Sequence, residues 1–327
     1  MNRTKATLPH QSRRSFLRSS LAVAAPMIAA PVFGAAPAAS TANREGQGLT
    51  VYQLGPIIWV RWNNRALLAY RAHQSQKYPY VYPVSGPATG LSLTSEMALP
   101  WPHHRSLFFG CDRVNGSNYW QEDFATGQIV SGGPVAGPVK GNTIEIRDTT
   151  EWRKPNEPPV MRDDRVVRIA VSGETAWSIE WEIKWTALVD VTVQKTNHSL
   201  FSLRAAPDIT PWGGGTLVNA EGRLGEKATF GQPSAWCDYH GRRNGLPDAP
   251  IEGIALFDHP KNPWSPCPWF TRDYGFISPT PLNFREEPWK LASGKSVTLR
   301  YLVVAHTGDP DQADLAGRYA EWASRSA

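Results

Sequence analysis

Several features are scarce or missing in this 327-residue chain, and each absence excludes a class of protein. Cys111, Cys237 and Cys267 are the only cysteines and form no C-x-x-C pair, which excludes zinc-ribbon and dithiol redox motifs. One disulfide with a free thiol remains open, but free cysteine behaves as a small buried apolar residue, and three such residues are the favoured interpretation. Neither the P-loop pattern nor G-x-G-x-x-G occurs, so the common nucleotide-binding fingerprints are absent.

Acidic residues are missing from the first 42 positions, and every charge there is positive. Residues 12–18 read Ser-Arg-Arg-Ser-Phe-Leu-Arg and match the twin-arginine export pattern S-R-R-x-F-L-K, with arginine in the lysine position. An Ala-rich apolar stretch at 21–32 follows, and small residues permit cleavage after Ala38 or Ala42. This order of features predicts a signal peptide over 1–42, export by the twin-arginine machinery, and a periplasmic or secreted mature protein.

A long apolar run is missing after the leader. Nothing beyond Val32 approaches the roughly 18 residues that a membrane helix requires, so no transmembrane span is expected in the mature chain. The leader also accounts for the basic charge: the chain carries +5, the leader holds five positive side chains, and 5 − 5 leaves about 0. Without a basic stripe on the remainder, nucleic-acid binding is not expected.

Long helical periods are rare, whereas period-two alternation recurs. The clearest case is 177–185, where every odd position is Trp or Ile, which predicts one apolar sheet face. Similar segments are 50–54, 57–62, 143–146, 166–171, 187–193, 199–205, 253–257 and 297–305. A helix is predicted only over 311–326, capped by Asp309 or Asp311, and the Gly/Pro-rich stretch 126–140 is expected to be a loop. The pattern predicts an all-β fold, a large antiparallel β-sandwich with a C-terminal helix, in a single domain over 43–327.

The first candidate cluster lies at 100–120, where ionisable side chains directly precede an apolar strand. His103 and His104 are candidates for proton transfer or metal ligation, because neutral imidazole does both. Arg105, Asn115 and Trp120 are candidates for substrate binding. Adjacent residues on a strand face opposite sides, so at most one of the two histidines is expected to face a given ligand. The alternative for either residue is a histidine that packs in the core and bonds a backbone carbonyl.

The second cluster lies at 236–242, with Trp236 and Asp238 beside a glycine turn. Asp238 is a candidate for orienting a histidine or sharing a proton, and Trp236 for binding substrate. The alternative is an ordinary turn held by an Asp side chain.

The third cluster is a loop at 257–275 that four prolines stiffen. It offers His259 as a second proton-transfer group and Tyr274 as a further acid, with Asn262, Trp269 and Arg272 for substrate binding. Ordered loops of this length are uncommon and are often functional. The alternative is a rigid connector over the sandwich edge.

Together the three clusters predict one sugar site. Tryptophan faces pack on the apolar faces of pyranose rings, and Trp101, Trp120, Trp236, Trp264 and Trp269 lie in polar, turn-rich contexts. Glycosidases use two carboxyl groups across the scissile bond, and no such pair stands out, which favours proton transfer by His or Tyr. The clusters are expected to converge on one concave face.

Three stretches of the sequence carry a family resemblance: Tyr-Pro-Tyr-Val-Tyr-Pro at 78–83, Pro-His-His-Arg at 102–105 with Val-Asn-Gly at 114–116, and residues 258–275. In these stretches the chain resembles a bacterial family of unknown function whose members carry the label "methane oxygenase PmoA". Many members have Asp-His before Pro-His-His, where this chain has Pro100 and Trp101. The label is rejected, because methane oxidation needs membrane helices. The resemblance implies a β-sandwich protein associated with sugar processing, with a more distant analogy to galactose-mutarotase-like supersandwich proteins.

The predicted function is therefore acid/base chemistry on a glycan or modified sugar, by hydrolysis, elimination or epimerisation. Two alternatives remain. One is a sugar-binding protein without catalysis, and the other is a metal-dependent protein that uses His103 or His104 with His259 and Asp238. The expected partners are a carbohydrate ligand and the export machinery. No cofactor is predicted, and a divalent metal remains open.

Overall fold

The computed structural model describes residues 46–121, 123–244 and 248–325. The predicted leader at 1–42 lies outside these residues. Among the described residues, no helix has the length and apolar character needed to cross a membrane.

Nineteen strands and two helices make up the described chain. The strands are β1 (Leu49–Leu54), β2 (Ile57–Trp62), β3 (Arg65–Arg71), β4 (Tyr80–Val84), β5 (Leu107–Cys111), β6 (Gln128–Ser131), β7 (Val135–Ala136), β8 (Thr143–Arg153), β9 (Met161–Val171), β10 (Ala176–Ala187), β11 (Val191–Val193), β12 (Ser199–Arg204), β13 (Thr216–Asn219), β14 (Trp236–Arg242), β15 (Ile251–Asp258), β16 (Trp269–Arg272), β17 (Phe276–Pro279), β18 (Trp289–Leu291) and β19 (Ser296–Thr307). The helices are α1 (Gly225–Thr229) and α2 (Leu315–Ser324).

The strands form two large antiparallel sheets, so the predicted all-β sandwich with a C-terminal helix is confirmed. The eight-stranded sheet runs β1-β2-β3-β4-β5-β12-β17-β16. The nine-stranded sheet runs β13-β14-β15-β19-β10-β9-β8-β6, with β7 paired to β8, and β11 and β18 form a small separate sheet.

The main core lies between the two large sheets. Phe109 of β5 pairs with Phe201 of β12. Phe109 contacts Trp185, and Phe201 contacts Trp181 and stacks on Tyr301 of the opposite sheet. The alternation predicted for 177–185 is confirmed, because all five of its Trp and Ile side chains are buried in this layer. Alternate residues of a strand face opposite sides, so Phe108, Ser202 and Arg204 lie on the outer face of the eight-stranded sheet.

The outer face of the nine-stranded sheet is covered by α2. Phe257 of β15 and Val304 of β19 form a second apolar cluster with Leu315 and Trp322 of the helix. The helix was predicted correctly, but its N-cap is Asp314, whose carboxylate accepts from Gly317 N, and not Asp309 or Asp311.

Other predicted segments needed correction. The stretch 126–140 is not a simple loop, because β6 and β7 lie within it and pair with β8. The strand predicted over 187–193 is split between the end of β10 and β11. Residues 236–242, read as a turn-rich cluster, form the buried strand β14. All three cysteines are free and buried, as the composition favoured.

Candidate functional site

A cleft of about 410 Å³ opens on the outer face of the eight-stranded sheet. Aromatic side chains, imidazoles, one guanidinium and one carboxylate share its wall. The lining residues are Trp101, His104, Asn197, His198, Trp212, Glu226, Phe270, Arg272, Tyr274 and Phe276. A larger depression of about 580 Å³ lies near β2 and β6, and the exposed His73 is the one ionisable side chain among the described residues that line it. The first cleft is lined by several ionisable side chains and is therefore the better candidate for a functional site.

Three histidines lie together at this cleft, where His104 and His198 line it and His103 is next to both. His103 and His104 come from the loop before β5, and His198 comes from the loop before β12, the strand that pairs with β5. One ring nitrogen of each lies within 4.8 Å of those of the other two. The His103 ring is nearly perpendicular to both others, with centroids 4.6 Å from His104 and 5.6 Å from His198.

Burial keeps the first two imidazoles neutral. Desolvation, with a smaller contribution from the neighbouring His198, lowers the pKa of His103 to about 4. Desolvation, followed by the neighbouring His103, Arg204 and His198 charges, lowers the pKa of His104 to about 2. His103 Nε2 and His104 Nδ1 are buried and have no hydrogen-bond partner. A buried polar atom without a partner costs roughly 1–3 kcal/mol, so these atoms mark a place where a ligand group fits.

The carboxylate of Asp112 contacts the imidazole of His198. Its Oδ2 lies 3.3 Å from His198 Nδ1, and its Oδ1 accepts a hydrogen bond from the Thr196 hydroxyl. The backbone fixes this pair, because Asp112 N donates to His198 O at 2.9 Å where β5 and β12 meet. A carboxylate at Nδ1 favours the tautomer that leaves Nε2 free to act as an acceptor.

An aromatic wall stands beside the imidazoles. Trp101 stacks on Tyr274 with ring centroids 4.3 Å apart, and Trp212 meets the same tyrosine edge-on at 5.7 Å. Trp212 is 74% exposed, so one large apolar face is open to solvent at the rim of the cleft. The Arg204 guanidinium lies over the Tyr274 ring at 4.6 Å, and its Nε and Nη1 are buried without a partner. Burial lowers the pKa of Arg204, although the side chain stays cationic.

A charged pair also lines the cleft. Arg272 Nη1 donates to Glu226 Oε1 at 3.0 Å. Glu226 N donates to Asp273 Oδ1 at 2.7 Å, and Asp273 N donates back to Glu226 Oε2 at 3.1 Å, which ties α1 to the turn after β16. These bonds fix a guanidinium and a carboxylate at the cleft, where they can read sugar hydroxyls or a carboxylate.

A second histidine cluster lies on the outer face of the nine-stranded sheet. Asp238 of β14 accepts from His240 Nδ1 at 2.7 Å and from His306 Nε2 at 2.9 Å. Pairing of Asp238 with Ala255, and of Ala255 with Val304 under α2, places this group away from the eight-stranded sheet. Asp238 and His306 are fully buried.

The prediction of one shared concave face holds for part of the set. His104, Arg272 and Tyr274 line the cleft, and His103 lies next to His104 and His198. Trp120 packs against His198 with ring centroids 5.5 Å apart. It is wrong for Asp238, Trp236 and His259, which belong to the other sheet. Trp236 packs on Phe257 beneath α2, and the His259 ring lies edge-on against Trp322 of that helix.

The remaining predicted residues make structural contacts. Arg105 Nη1 donates to Gln76 Oε1, and Asn115 Nδ2 donates to Asp190 O. Asn262 Nδ2 donates to Asp258 Oδ1, and the buried Trp269 indole donates to Ser234 O. The prolines of 257–275 therefore stiffen a segment that packs against the rest of the protein. The metal site expected from His103 or His104 with His259 and Asp238 does not form, because Asp238 and His259 belong to the other sheet.

Sequence reasoning missed six cleft residues: Asn197, His198, Trp212, Glu226, Phe270 and Phe276. A signal existed for His198, because it directly precedes the predicted strand 199–205, the same placement that drew attention to His103 and His104. The pairing of β5 with β12, which brings His198 beside them, joins segments about 90 residues apart and has no local signature.

Residues 57–320 match a family of unknown function, DUF6807. The chain belongs to this family. None of the curated proteins matches it. Among solved structures it is similar to galactose 1-epimerase from Lactobacillus acidophilus, at 8% identity and a TM-score of 0.36, over 80% of this chain and 99% of that one. A galactose mutarotase related enzyme from the same organism gives 9% identity and a TM-score of 0.27, over 79% and 97%. A polysaccharide lyase gives 14% identity and a TM-score of 0.25, over 80% and 34%.

Proposed function

We propose that this protein is an exported carbohydrate-active enzyme and that its sugar substrate binds in the cleft of Trp101, Tyr274 and the three histidines. The observation that carries the proposal is the juxtaposition of an aromatic stack with buried imidazole nitrogens that have no protein partner. The stack offers a flat apolar surface for a pyranose ring. The imidazoles and the Tyr274 hydroxyl are the groups that would exchange protons with it.

The charged groups favour proton transfer over glycoside hydrolysis by two carboxylates. Glu226 is the one carboxylate among the described residues that line the cleft, and it is bonded to Arg272. Hydrolases of the usual kind place two carboxyl groups across the bond. Elimination or epimerisation of a sugar needs an acceptor and a donor for one proton, which imidazole and phenol provide.

The arginines support a sugar that carries a negative charge. Arg204 lies under Tyr274 with two nitrogens unpaired, and Arg272 lines the cleft. Guanidinium groups bind carboxylates through paired donors, so a uronic acid fits this charge pattern better than a neutral hexose.

The test is a panel of neutral and uronate-containing glycans incubated with the purified chain, with products detected by mass spectrometry. Tyr274→Phe keeps the stacked ring and removes the hydroxyl, so turnover is expected to fall by about 10²–10⁴ with sugar binding retained. His73→Ala, remote from the cleft, serves as the control with unchanged turnover. Failure of every glycan to bind or react would reject the proposal.

A non-catalytic sugar-binding role is the second candidate, favoured by the exposed Trp212 at the rim. In that case glycans bind, Trp101→Ala weakens binding, and no product forms with any member of the panel. Tyr274→Phe then changes nothing, which separates the two candidates.

Export is proposed from the leader alone. Replacing Arg13 and Arg14 by lysine should retain the precursor in the cytoplasm, as followed by fractionation and immunoblotting. Normal export of this double variant would reject the twin-arginine route.

A further inference from the structure

The imidazoles of His103, His104 and His198 lie together, and two of them have a buried ring nitrogen without a hydrogen-bond partner in the described part of the protein. Their nitrogens lie within 4.8 Å of one another, and His103 Nε2 and His104 Nδ1 make no hydrogen bond within the protein. His104 is only 3% exposed, so bulk water does not readily satisfy its buried nitrogen.

The support behind His198 resembles that of a metal ligand. Histidines that bind metals donate their second ring N–H to a carboxylate or carbonyl, which fixes the ring and its tautomer. Asp112 occupies this position at His198 Nδ1, and the Thr196 hydroxyl fixes Asp112 in turn.

We propose that His103, His104 and His198 bind one divalent transition-metal ion, with an open coordination position facing the cleft. The inference rests on the proposed function in one respect: the open position is where a sugar oxygen would bind. Three neutral imidazoles suit zinc, cobalt or nickel, whereas calcium and magnesium prefer oxygen ligands.

The spacing requires a small closure of the rings. With metal–nitrogen bonds of about 2.0–2.1 Å in tetrahedral geometry, neighbouring nitrogens lie about 3.4 Å apart. The widest separation here is 4.8 Å or less, and all three histidines lie on loops before strands, where side-chain rotation achieves the difference.

The surrounding charges indicate what completes the site. The Arg204 guanidinium lies 4.6 Å from the Tyr274 ring, which is stacked parallel to His104 at 6.3 Å, and Asp112 is the carboxylate in contact with the cluster. An ion here therefore favours an anionic fourth ligand, such as hydroxide or a sugar carboxylate. A metal ion with three histidines and an open position makes an oxygen bound to it more acidic, which would relieve the imidazoles of the proton-transfer role.

The experiment uses the full chain, purified without a polyhistidine tag and stripped with a chelator. Titration with Zn²⁺ is followed by calorimetry, and Co²⁺ binding by visible absorption, where four-coordinate nitrogen ligation gives intense bands. The expected result is one ion per chain, with affinity falling at least tenfold in His103→Ala and in His198→Ala and staying unchanged in His73→Ala. Asp112→Asn should weaken binding about 10–100-fold while all three ligands remain.

The outcomes separate this inference from the proposed function. Absence of the Co²⁺ bands in the wild-type chain overturns the metal site without any variant, so a variant that fails to fold does not obscure the result. Equal uptake by wild type and the His103→Ala/His198→Ala double variant also overturns it. A bound ion with no glycan turnover supports the metal site and rejects the enzyme, whereas glycan turnover by a chain that binds neither Zn²⁺ nor Co²⁺ supports the enzyme and rejects the metal site.

Discussion

The two histidine clusters use the same residue types on opposite outer faces of the sandwich, yet their hydrogen bonding differs. In the nine-stranded sheet, one carboxylate, Asp238, accepts from His240 and His306. In the eight-stranded sheet, Asp112 lies behind His198, and nitrogens of His103 and His104 have no partner. The first group pairs its carboxylate with both imidazoles and leaves His306 Nδ1 as its one buried ring nitrogen without a partner among the described residues, whereas the second leaves nitrogens of two imidazoles unpaired beside an open cleft.

The pKa directions follow from this difference. Burial alone would lower the pKa of His240, but the hydrogen bond and charge of Asp238 outweigh burial and raise it. Burial alone would raise the pKa of Asp238, but the charge of His306 and the bonds from both imidazoles lower it. His103 and His104 have no carboxylate partner, and burial lowers their pKa values. Removing one partner of a buried pair is costly to the fold, whereas buried unpaired imidazoles beside an open cleft are candidates for a ligand site.

The largest expected effect comes from breaking the paired cluster. Asp238→Ala leaves two imidazoles without their acceptor in a fully buried position, so the free energy of unfolding should fall by about 3–5 kcal/mol in urea denaturation at pH 7. Cleft function should persist in whatever fraction stays folded. Asp311→Ala, at an exposed position, is the control with a change of about 0.5 kcal/mol or less. A loss below about 1 kcal/mol for Asp238→Ala would show that the pairing does not stabilise the sheet.

Asp258 sharpens the comparison, because it is a buried carboxylate on β15 without an imidazole partner. Asn262 donates to its Oδ1, while Oδ2 has no partner, and burial raises the pKa of Asp258 to about 7. The folded state then binds this proton more tightly than the unfolded state. Its contribution to stability is full below the unfolded pKa of about 4 and is lost as pH rises through about 7.

Asp258→Asn should remove that dependence. Relative to wild type, the variant is expected to gain about 2–4 kcal/mol of stability between pH 5 and pH 8, measured by urea denaturation at each pH. Asp238 has the opposite sign: its lowered pKa gives a contribution that is present above about pH 4 and lost as pH falls further. Parallel pH profiles for wild type and Asp258→Asn would contradict the assignment.

Period-two alternation in the sequence predicted which face of a strand is buried. It did not predict the contacts that form only when strands distant in the sequence pair. Trp181 and Trp185 showed their buried face through period two alone. Asp238 and His240 alternate with Cys237 and Tyr239, but their polar face is covered by more distant parts of the chain, so β14 did not look like a strand. His103 and His104 were found because they precede a strand. His198 was missed because only the register of β5 with β12 brings it beside them.

The smallest effect on stability is expected for Trp212 at the rim of the cleft, and Trp236 on the other sheet is the matched tryptophan for comparison. Trp212 is 74% exposed, so Trp212→Ala should change the free energy of unfolding by about 0.5 kcal/mol or less. Trp236 is 7% exposed and packs beside Phe257, so even Trp236→Phe should cost about 1–2 kcal/mol. On a glycan array the order reverses: Trp212→Ala loses sugar binding because it removes an aromatic face that a pyranose ring can cover, and Trp236→Phe keeps it. Equal glycan binding by Trp212→Ala and wild type would place the sugar away from this rim, and the unpaired imidazoles would then need another explanation than a sugar site.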